Sequence, residues 1–211
     1  MQHHWDKRFA DTNPEALTWF QPEAARSLAL IEDHAGGSAR SLIDVGAGNS
    51  RLVDGLLARD WRDITLVDLS SVALAQTRAR LGAAARDVSF IAADLTAWTP
   101  ARCWDVWHDR AVFHFMVTKA AQSAYLDALR AGTRAGATVV MATFSPDGPS
   151  KCSGLPVQQY SAATLAARLG NTFSLLHDEP YDHVTPKGGV QKFTLAVFRR
   201  RGGENAPLSA P

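Results

Sequence analysis

Ser41-Leu42-Ile43-Asp44-Val45-Gly46-Ala47-Gly48-Asn49-Ser50-Arg51 reads as a short apolar run that ends in a glycine turn and opens a helix from Leu52 to Ala58. A run of that length bounded by glycine fits a strand buried on both faces. The glycines have a physical task. Lacking Cβ, they let backbone N–H groups come close to a ligand at a helix N-terminus. Three carboxylates stand in related places: Asp44 two residues before the first glycine, Asp68 at the end of the next apolar run, and Asp94 after the third.

Working outward, Ile64–Asp68 and Val88–Ile91 read as strands, with a helix between them capped by Ser70 or Ser71 and carrying Leu74, Arg78 and Leu81. Upstream, Ala24, Leu28 and Ile31 recur at helical spacing, Pro22 suits a first helical turn, and Gly36-Gly37 is a stop signal. Downstream, Thr118 can cap a helix bearing Ala121, Tyr125 and Leu129, with Gly132 and Gly136 as stops before a strand at Thr138–Phe144. The stretch Ser145 to Pro156 reads as a long proline- and glycine-rich loop, a length that favours a role in binding. A helix capped by Ser161 and closed by Gly170 follows. Then Phe173–Leu176 and Phe193–Phe198 read as an antiparallel pair at the sheet edge, joined through residues 184–189.

Continuous apolar strands separated by helices imply a parallel sheet covered on both faces, and such sheets bind ligands outside the carboxyl ends of their strands. Asp44, Gly46, Asp68 and Asp94 all fall at or near those ends. With 211 residues and 46% hydrophobic content the chain is long enough for one well-buried domain, expected over residues 1–201. Within it, residues 1–37 form an N-terminal helical or lid segment and 38–201 a core. Residues 202–211 are expected to be disordered.

The balance of 22 basic and 21 acidic residues gives a net charge of +1 and no general field for nucleic acid or membrane. Arg199-Arg200-Arg201, the sole basic cluster, reads as a solvated end of the last strand. Cys103 and Cys152 lie far apart without metal-ligand spacing, so neither a zinc site nor a disulfide framework is indicated, and no metal is expected. A reducing, cytoplasmic setting is the simplest reading. The absence of an apolar run of ~20 residues and the polar start Met1-Gln2-His3-His4 point to a chain without membrane span or signal peptide. A monomer is expected.

The Asp-x-Gly-x-Gly arrangement at Asp44, Gly46 and Gly48, followed by Asp68 and Asp94, resembles the first motifs of class I S-adenosylmethionine-dependent methyltransferases. The resemblance implies an α/β, doubly wound, mostly parallel, seven-stranded Rossmann-like sheet with an antiparallel C-terminal edge pair and helices on both faces. It also implies S-adenosyl-L-methionine as cofactor. Asp44, Gly46, Ala47, Gly48 and Asn49 would line its methionine part, Asp68 with Leu69 would take the ribose hydroxyls, Asp94 with Leu95 would meet the adenine, and Arg110 would join them. The family usually has a glycine or another small residue where Ser50 stands. A dinucleotide-binding turn fits less well, because its third glycine would fall on Arg51 and because Asp44 suits a cationic amino-acid ligand better than a pyrophosphate.

In the resembled family the fourth strand ends within Trp104-Asp105-Val106-Trp107-His108-Asp109-Arg110-Ala111-Val112-Phe113-His114, and the residues after it face the methyl group. Asp109 and His114 are therefore the candidates for chemistry, whereas His108, inside the strand, reads as structural. On the acceptor side the candidates are Trp5, Trp19, Phe20, Phe113 and Cys152. The order Trp5-Asp6-x-x-Phe9 followed by Trp19-Phe20 resembles the N-terminal region of several small bacterial methyltransferases, where it would pack or cover the site.

Displacement at a sulfonium needs alignment more than a strong base, so no side-chain triad is expected. The chain has no Asn-Pro-Pro-Tyr or Asp-Pro-Pro-Tyr tetrapeptide of amino-group methylating relatives. That favours a small-molecule acceptor with a soft or acidic nucleophile. The alternatives are a protein lysine methyltransferase, since the tryptophan-rich N-terminus also resembles enzymes acting on translation factors, and a cofactor-binding module without turnover.

Overall fold

A computed structural model describes residues 1–202. The apolar run of the opening stretch becomes β1 (Leu42–Val45), and the sheet grows from it through β2 (Ile64–Asp68), β3 (Val88–Ala92), β4 (Trp104–Arg110) and β5 (Thr133–Phe144). Every residue of β1 and β2 is buried, as a strand covered on both faces requires. A two-strand hairpin, β6 (Lys151–Cys152) and β7 (Leu155–Pro156), precedes β8 (Phe173–Val184) and β9 (Val190–Arg200). The main sheet has seven strands in the order β3-β2-β1-β4-β5-β9-β8. The first five are parallel, and β9 runs antiparallel to both β5 and β8. This is the α/β, doubly wound sheet expected of the resembled family.

The period-two alternation of strand side chains divides the core into two layers. On one face Leu42, Leu66, Val106, Val140 and Phe193 pack with Leu28 and Ile31 of α2 (Ala25–Ala35) and Leu52 and Leu56 of α3 (Leu52–Leu57). On the other, Ile43, Val45, Trp107, Val139 and Phe198 meet Tyr125 and Leu129 of α5 (Lys119–Ala131) and Leu165 and Leu169 of α6 (Ala162–Leu169). Each such large side chain contributes about 1.5–3 kcal/mol by leaving water. The helix starts follow the sequence. Ser70 accepts from the N–H of Ala73 at the head of α4 (Ser71–Leu81), Thr118 from that of Ala121, and Ser161 with Thr164 forms a capping box. Gly36 ends α2 at φ +79°.

Several expectations change. Residues 2–11 are a helix, α1 (Gln2–Asp11), whose buried Phe9 anchors it. Pro22 lies outside α2, which Ala24 caps. Gly136 does not stop the chain before a strand. At φ +81° it sits inside β5, where the pairing with β4 slips, because glycine admits an extra residue into a ladder. Part of the 145–156 loop is the β6–β7 hairpin, turned by Ser153 and Gly154 at φ +49° and +80°. Arg199 and Arg200 are not a solvated end. Arg199 donates to the carbonyl of His34 at 2.9 Å, and Arg200 to those of Arg130 and Thr133. They are held because β9 runs inside the sheet and delivers them to the C-terminal turns of α2 and α5, where carbonyls lack partners. The expected tail falls, apart from Gly202, outside the described residues. Among the described residues no helix is long and apolar enough to cross a membrane.

Candidate functional site

At the carboxyl end of β1 the chain must turn sharply beneath its neighbours. A Cβ on Gly46, at φ +63°, would stand 2.0 Å from the Val112 side chain, so that position admits only glycine without rearrangement. Gly48, at φ +51°, would bring a Cβ within 3.1 Å of the Phe9 ring and 3.8 Å of the Asp68 carboxylate. The turn is thus pressed between α1 and the end of β2.

Asp68 ties these parts together. Its Oδ2 accepts the Gly48 N–H at 2.7 Å and its Oδ1 accepts the Ser70 N–H at 2.7 Å, so one carboxylate joins the β1 turn to the head of α4. Burial pushes its pKa up to about 6 against the opposing pull of those two N–H groups. Asp44, at the end of β1, is held at Oδ1 by Nδ1 of His108, 2.7 Å away, and Nε2 of His108 lies 2.9 Å from Ser27 Oγ on α2. Asp94 is exposed after β3, and its Oδ1 accepts from the N–H and hydroxyl of Thr96 at 2.9 and 2.7 Å.

A cavity of about 290 Å³ opens over these carboxylates. Its floor is Gly46, Ala47, Gly48 and Asn49, with Asp44 and His108 beneath. Asp68, Leu69, Asp94 and Leu95 line one end, and Arg110 and Cys152 also face it. Aromatic residues from the N-terminal segment and the end of β4 form the cover. The rings of Trp5 and Trp19 are 5.9 Å apart, Trp5 and Phe115 5.3 Å, and Phe9 and Trp19 6.0 Å, with Phe20 beside them. The cover is fastened by the Ser70 hydroxyl donating to Asp6 at 2.7 Å and by Gln76 donating to the Phe9 carbonyl at 2.9 Å. Burial lowers the Arg110 pKa to about 10, so the guanidinium stays charged at neutral pH, and raises the Cys152 thiol to about 11, so it stays protonated.

Three expected site residues lie elsewhere. Asp109 is fully buried on the opposite face of β4 and lines no cavity. Its carboxylate accepts the N–H groups of Val112 and Phe113, at 3.0 and 3.1 Å, and the Tyr125 hydroxyl. Burial raises it to about 6, but it is a structural clamp on the turn after β4. His114 is also fully buried, packed 4.6 Å from the Phe115 ring and 4.7 Å from that of Phe144. Burial drives its pKa down to about 3, so it is neutral and walled off from the cavity. Phe113 belongs to the core, against Tyr125 and Tyr160.

Alternation explains the difference, because consecutive residues of β4 point to opposite faces. His108 and Arg110 share the face of Asp44, and Asp109 cannot. His108, which the sequence reading kept as structural, Phe9, which it named only within the N-terminal motif, and Ser27 and Phe115, which it passed over, all belong to this site or its support. The register of β4 against β1, which pairs His108 with Asp44, was the available signal for the first of them.

Residues 42–136 match the family model described as a methyltransferase domain. No curated protein matches the chain. Among solved structures, one concerning the conversion of a disulfide bond into a thioacetal group during echinomycin biosynthesis is 22% identical, covers 95% of this chain and 93% of its own, and has a TM-score of 0.72. A Burkholderia thailandensis 1,6-didemethyltoxoflavin-N1-methyltransferase, with its bound substrate and S-adenosylhomocysteine, is 23% identical over 85% of this chain and 80% of that one, with a TM-score of 0.67. An S-adenosylmethionine-dependent methyltransferase from Anabaena variabilis is 16% identical over 95% and 93%, with a TM-score of 0.73. At these identities the structures establish the shared fold. Residues 42–136 thus carry the match to a methyltransferase domain, on a sheet that shares the fold of S-adenosylmethionine-dependent methyltransferases and sets the glycine turn, Asp68 and Asp94 at one rim.

Proposed function

We propose that the chain transfers a methyl group from S-adenosyl-L-methionine to a small-molecule acceptor by in-line displacement. One observation carries the reading: the Asp68 carboxylate, fixed by two backbone N–H groups, lines a cavity floored by a turn that a single Cβ would obstruct. That arrangement fits a ribose held by its hydroxyls and an amino-acid chain lying close to backbone. Asp68 and Leu69 would hold the ribose, Asp94 and Leu95 the adenine, and Gly46 to Asn49 the amino-acid end.

When bound, S-adenosylmethionine supplies a methyl group on a cationic sulfur, whose C–S bond breaks as the acceptor's lone pair bonds to carbon, leaving a thioether. The residues here bind, orient and exclude water. Asp44, kept in place by His108, presents negative charge to the ammonium end. Trp5, Trp19 and Phe115 shield the centre, and aromatic faces near a desolvated cation contribute about 2 kcal/mol. Neither His114 nor Asp109 is placed to take a proton, so alignment carries the rate, for which up to ~7–11 kcal/mol is available. The acceptor then reaches the cavity deprotonated or loses its proton to water. The Burkholderia thailandensis N1-methyltransferase holds 1,6-didemethyltoxoflavin beside S-adenosylhomocysteine, which supports a small-molecule acceptor here.

The test is calorimetry with S-adenosylmethionine and S-adenosylhomocysteine, followed by transfer of labelled methyl to small acceptors and to lysate protein. Binding with label in small molecules is expected. Label confined to protein would indicate lysine methylation, and binding without turnover of any acceptor a sensing module.

A further inference from the structure

The guanidinium of Arg110, which lines one corner of the cavity, lacks part of the partnering that enclosed cations ordinarily have. Arg110 donates from Nη1 to the Trp19 carbonyl at 3.0 Å, while Nη2 is shut off from solvent with no hydrogen-bond partner among the described residues. Nε of Arg8, on α1, is in the same condition. Arg26 and Arg80, by contrast, are paired with Glu179 and Asp54. The charges of Arg110 and Arg8 both bear on the Cys152 thiol, and the hydroxyl of the adjoining Ser153 is turned to that thiol and has no other partner. The thiol stays protonated and supplies no counter-charge. Asp44, the carboxylate whose charge reaches Arg110, is engaged with His108.

The direction of Arg110 separates this corner from the ribose end. Its guanidinium carbon lies 5.8 Å from the ring centroid of Phe193, on β9. In the sheet, β9 is two strands beyond β4 on the side away from β1 and β2. At ~4.8 Å per strand, that is about 14 Å of sheet from β1. A buried guanidinium without an anion is costly, and its flat fork of donors matches a carboxylate.

We propose that this corner is an anion-anchoring subsite for the methyl acceptor: a small molecule carrying a carboxylate, gripped by Arg110 with Arg8 and Ser153 in support, its body lying under Trp5 and Trp19. The inference rests on the methyltransferase reading and names the chemical class of its acceptor. A carboxylate could also come from the amino-acid end of the cofactor, so the experiment separates the two sources.

Benzoate, phenylacetate and indole-3-acetate, each against its primary amide, are titrated into protein saturated with S-adenosylhomocysteine. Wild type, Arg110→Gln and Arg8→Gln are compared after circular dichroism has established folding. S-adenosylhomocysteine and 5′-methylthioadenosine, which lacks the amino-acid end, are titrated into the same proteins. The expected result is at least one carboxylate bound tenfold or more tightly than its amide, a preference that falls towards one in Arg110→Gln and declines in Arg8→Gln, with S-adenosylhomocysteine affinity kept within about threefold. Equal binding of all acids and amides by wild type overturns the proposal. So does a tenfold loss of S-adenosylhomocysteine in Arg110→Gln with methylthioadenosine unchanged, which would give the guanidinium to the cofactor. Should wild type bind neither nucleoside, the methyltransferase reading itself fails.

Discussion

Affinity for S-adenosylhomocysteine is expected to fall below pH 6, and Asp68 is the cause. Ribose hydroxyls donate hydrogen bonds, so the carboxylate must be ionised to receive them. Burial raises its pKa in the ligand-free fold to about 6, whereas an aspartate in the unfolded chain ionises near ~3.9. A raised folded-state value means that the ligand-free fold takes up the proton first. Between about pH 6 and 4 its stability over the unfolded chain therefore rises as pH falls, while ligand binding is lost through the same window. At pH 8 about 99% of the carboxylate is ionised and at pH 5 about one-eleventh, so the dissociation constant weakens about tenfold, or ~1.4 kcal/mol. Asp68→Asn keeps the volume but cannot ionise, and one of the Gly48 and Ser70 N–H groups would then face an NH2 donor, at a cost of ~1–3 kcal/mol. That variant is expected to bind more weakly at pH 8 and to lose the slope. Calorimetric titrations from pH 5 to 8 on both proteins measure this. A flat wild-type profile, or an equal slope in the variant, refutes the assignment.

Two further outcomes follow from the packing of the turn and of β4. Gly46→Ala combines a left-handed backbone, ~1–2 kcal/mol, with a collision against Val112, ~1–3 kcal/mol. Thermal melts should show a large loss that adding Val112→Ala recovers only in its steric part, and an unchanged melting temperature in Gly46→Ala would contradict the geometry. Asp109→Asn puts an amide donor among the N–H groups of Val112 and Phe113, so stability is expected to drop by ~1–3 kcal/mol while the folded fraction keeps its S-adenosylhomocysteine affinity. His114→Leu removes Nε2, which has no partner, together with Nδ1, which accepts the Phe144 N–H at a long 3.5 Å, so it is expected to cost ~1–3 kcal/mol of stability at most without altering turnover, and a selective loss of turnover would return His114 to the chemistry.

How much of this was legible depended on how local each arrangement is. The glycine turn and the Asp68 carboxylate beside it read directly because they are close in the chain: Gly48 and Asp68 are 20 residues apart, and the turn between strand and helix needs glycine wherever it occurs. Most strands were legible for the same reason, since each buried run announces itself, whereas their order in the sheet was not. What failed were choices among neighbouring residues. Asp109 stands one residue from His108 and Arg110, and His114 one from Phe115, and only the alternation of β4 against β1 turns Arg110 and His108 to the cavity instead. Helix α1 was hidden because its buried face is little more than Phe9 and its aromatics gain their packing from Trp19 and Phe115. The Arg110 corner of the cavity is the least local of all. Arg110 meets the Trp19 carbonyl across 91 residues, and the thiol on which its charge acts arrives from the hairpin after β5. Composition could mark those aromatics as too large to stand idle on a surface. It could not show that Arg110 would stand at the cavity wall without a carboxylate, because an unpaired charge is a property of the assembled walls and of no single stretch of chain.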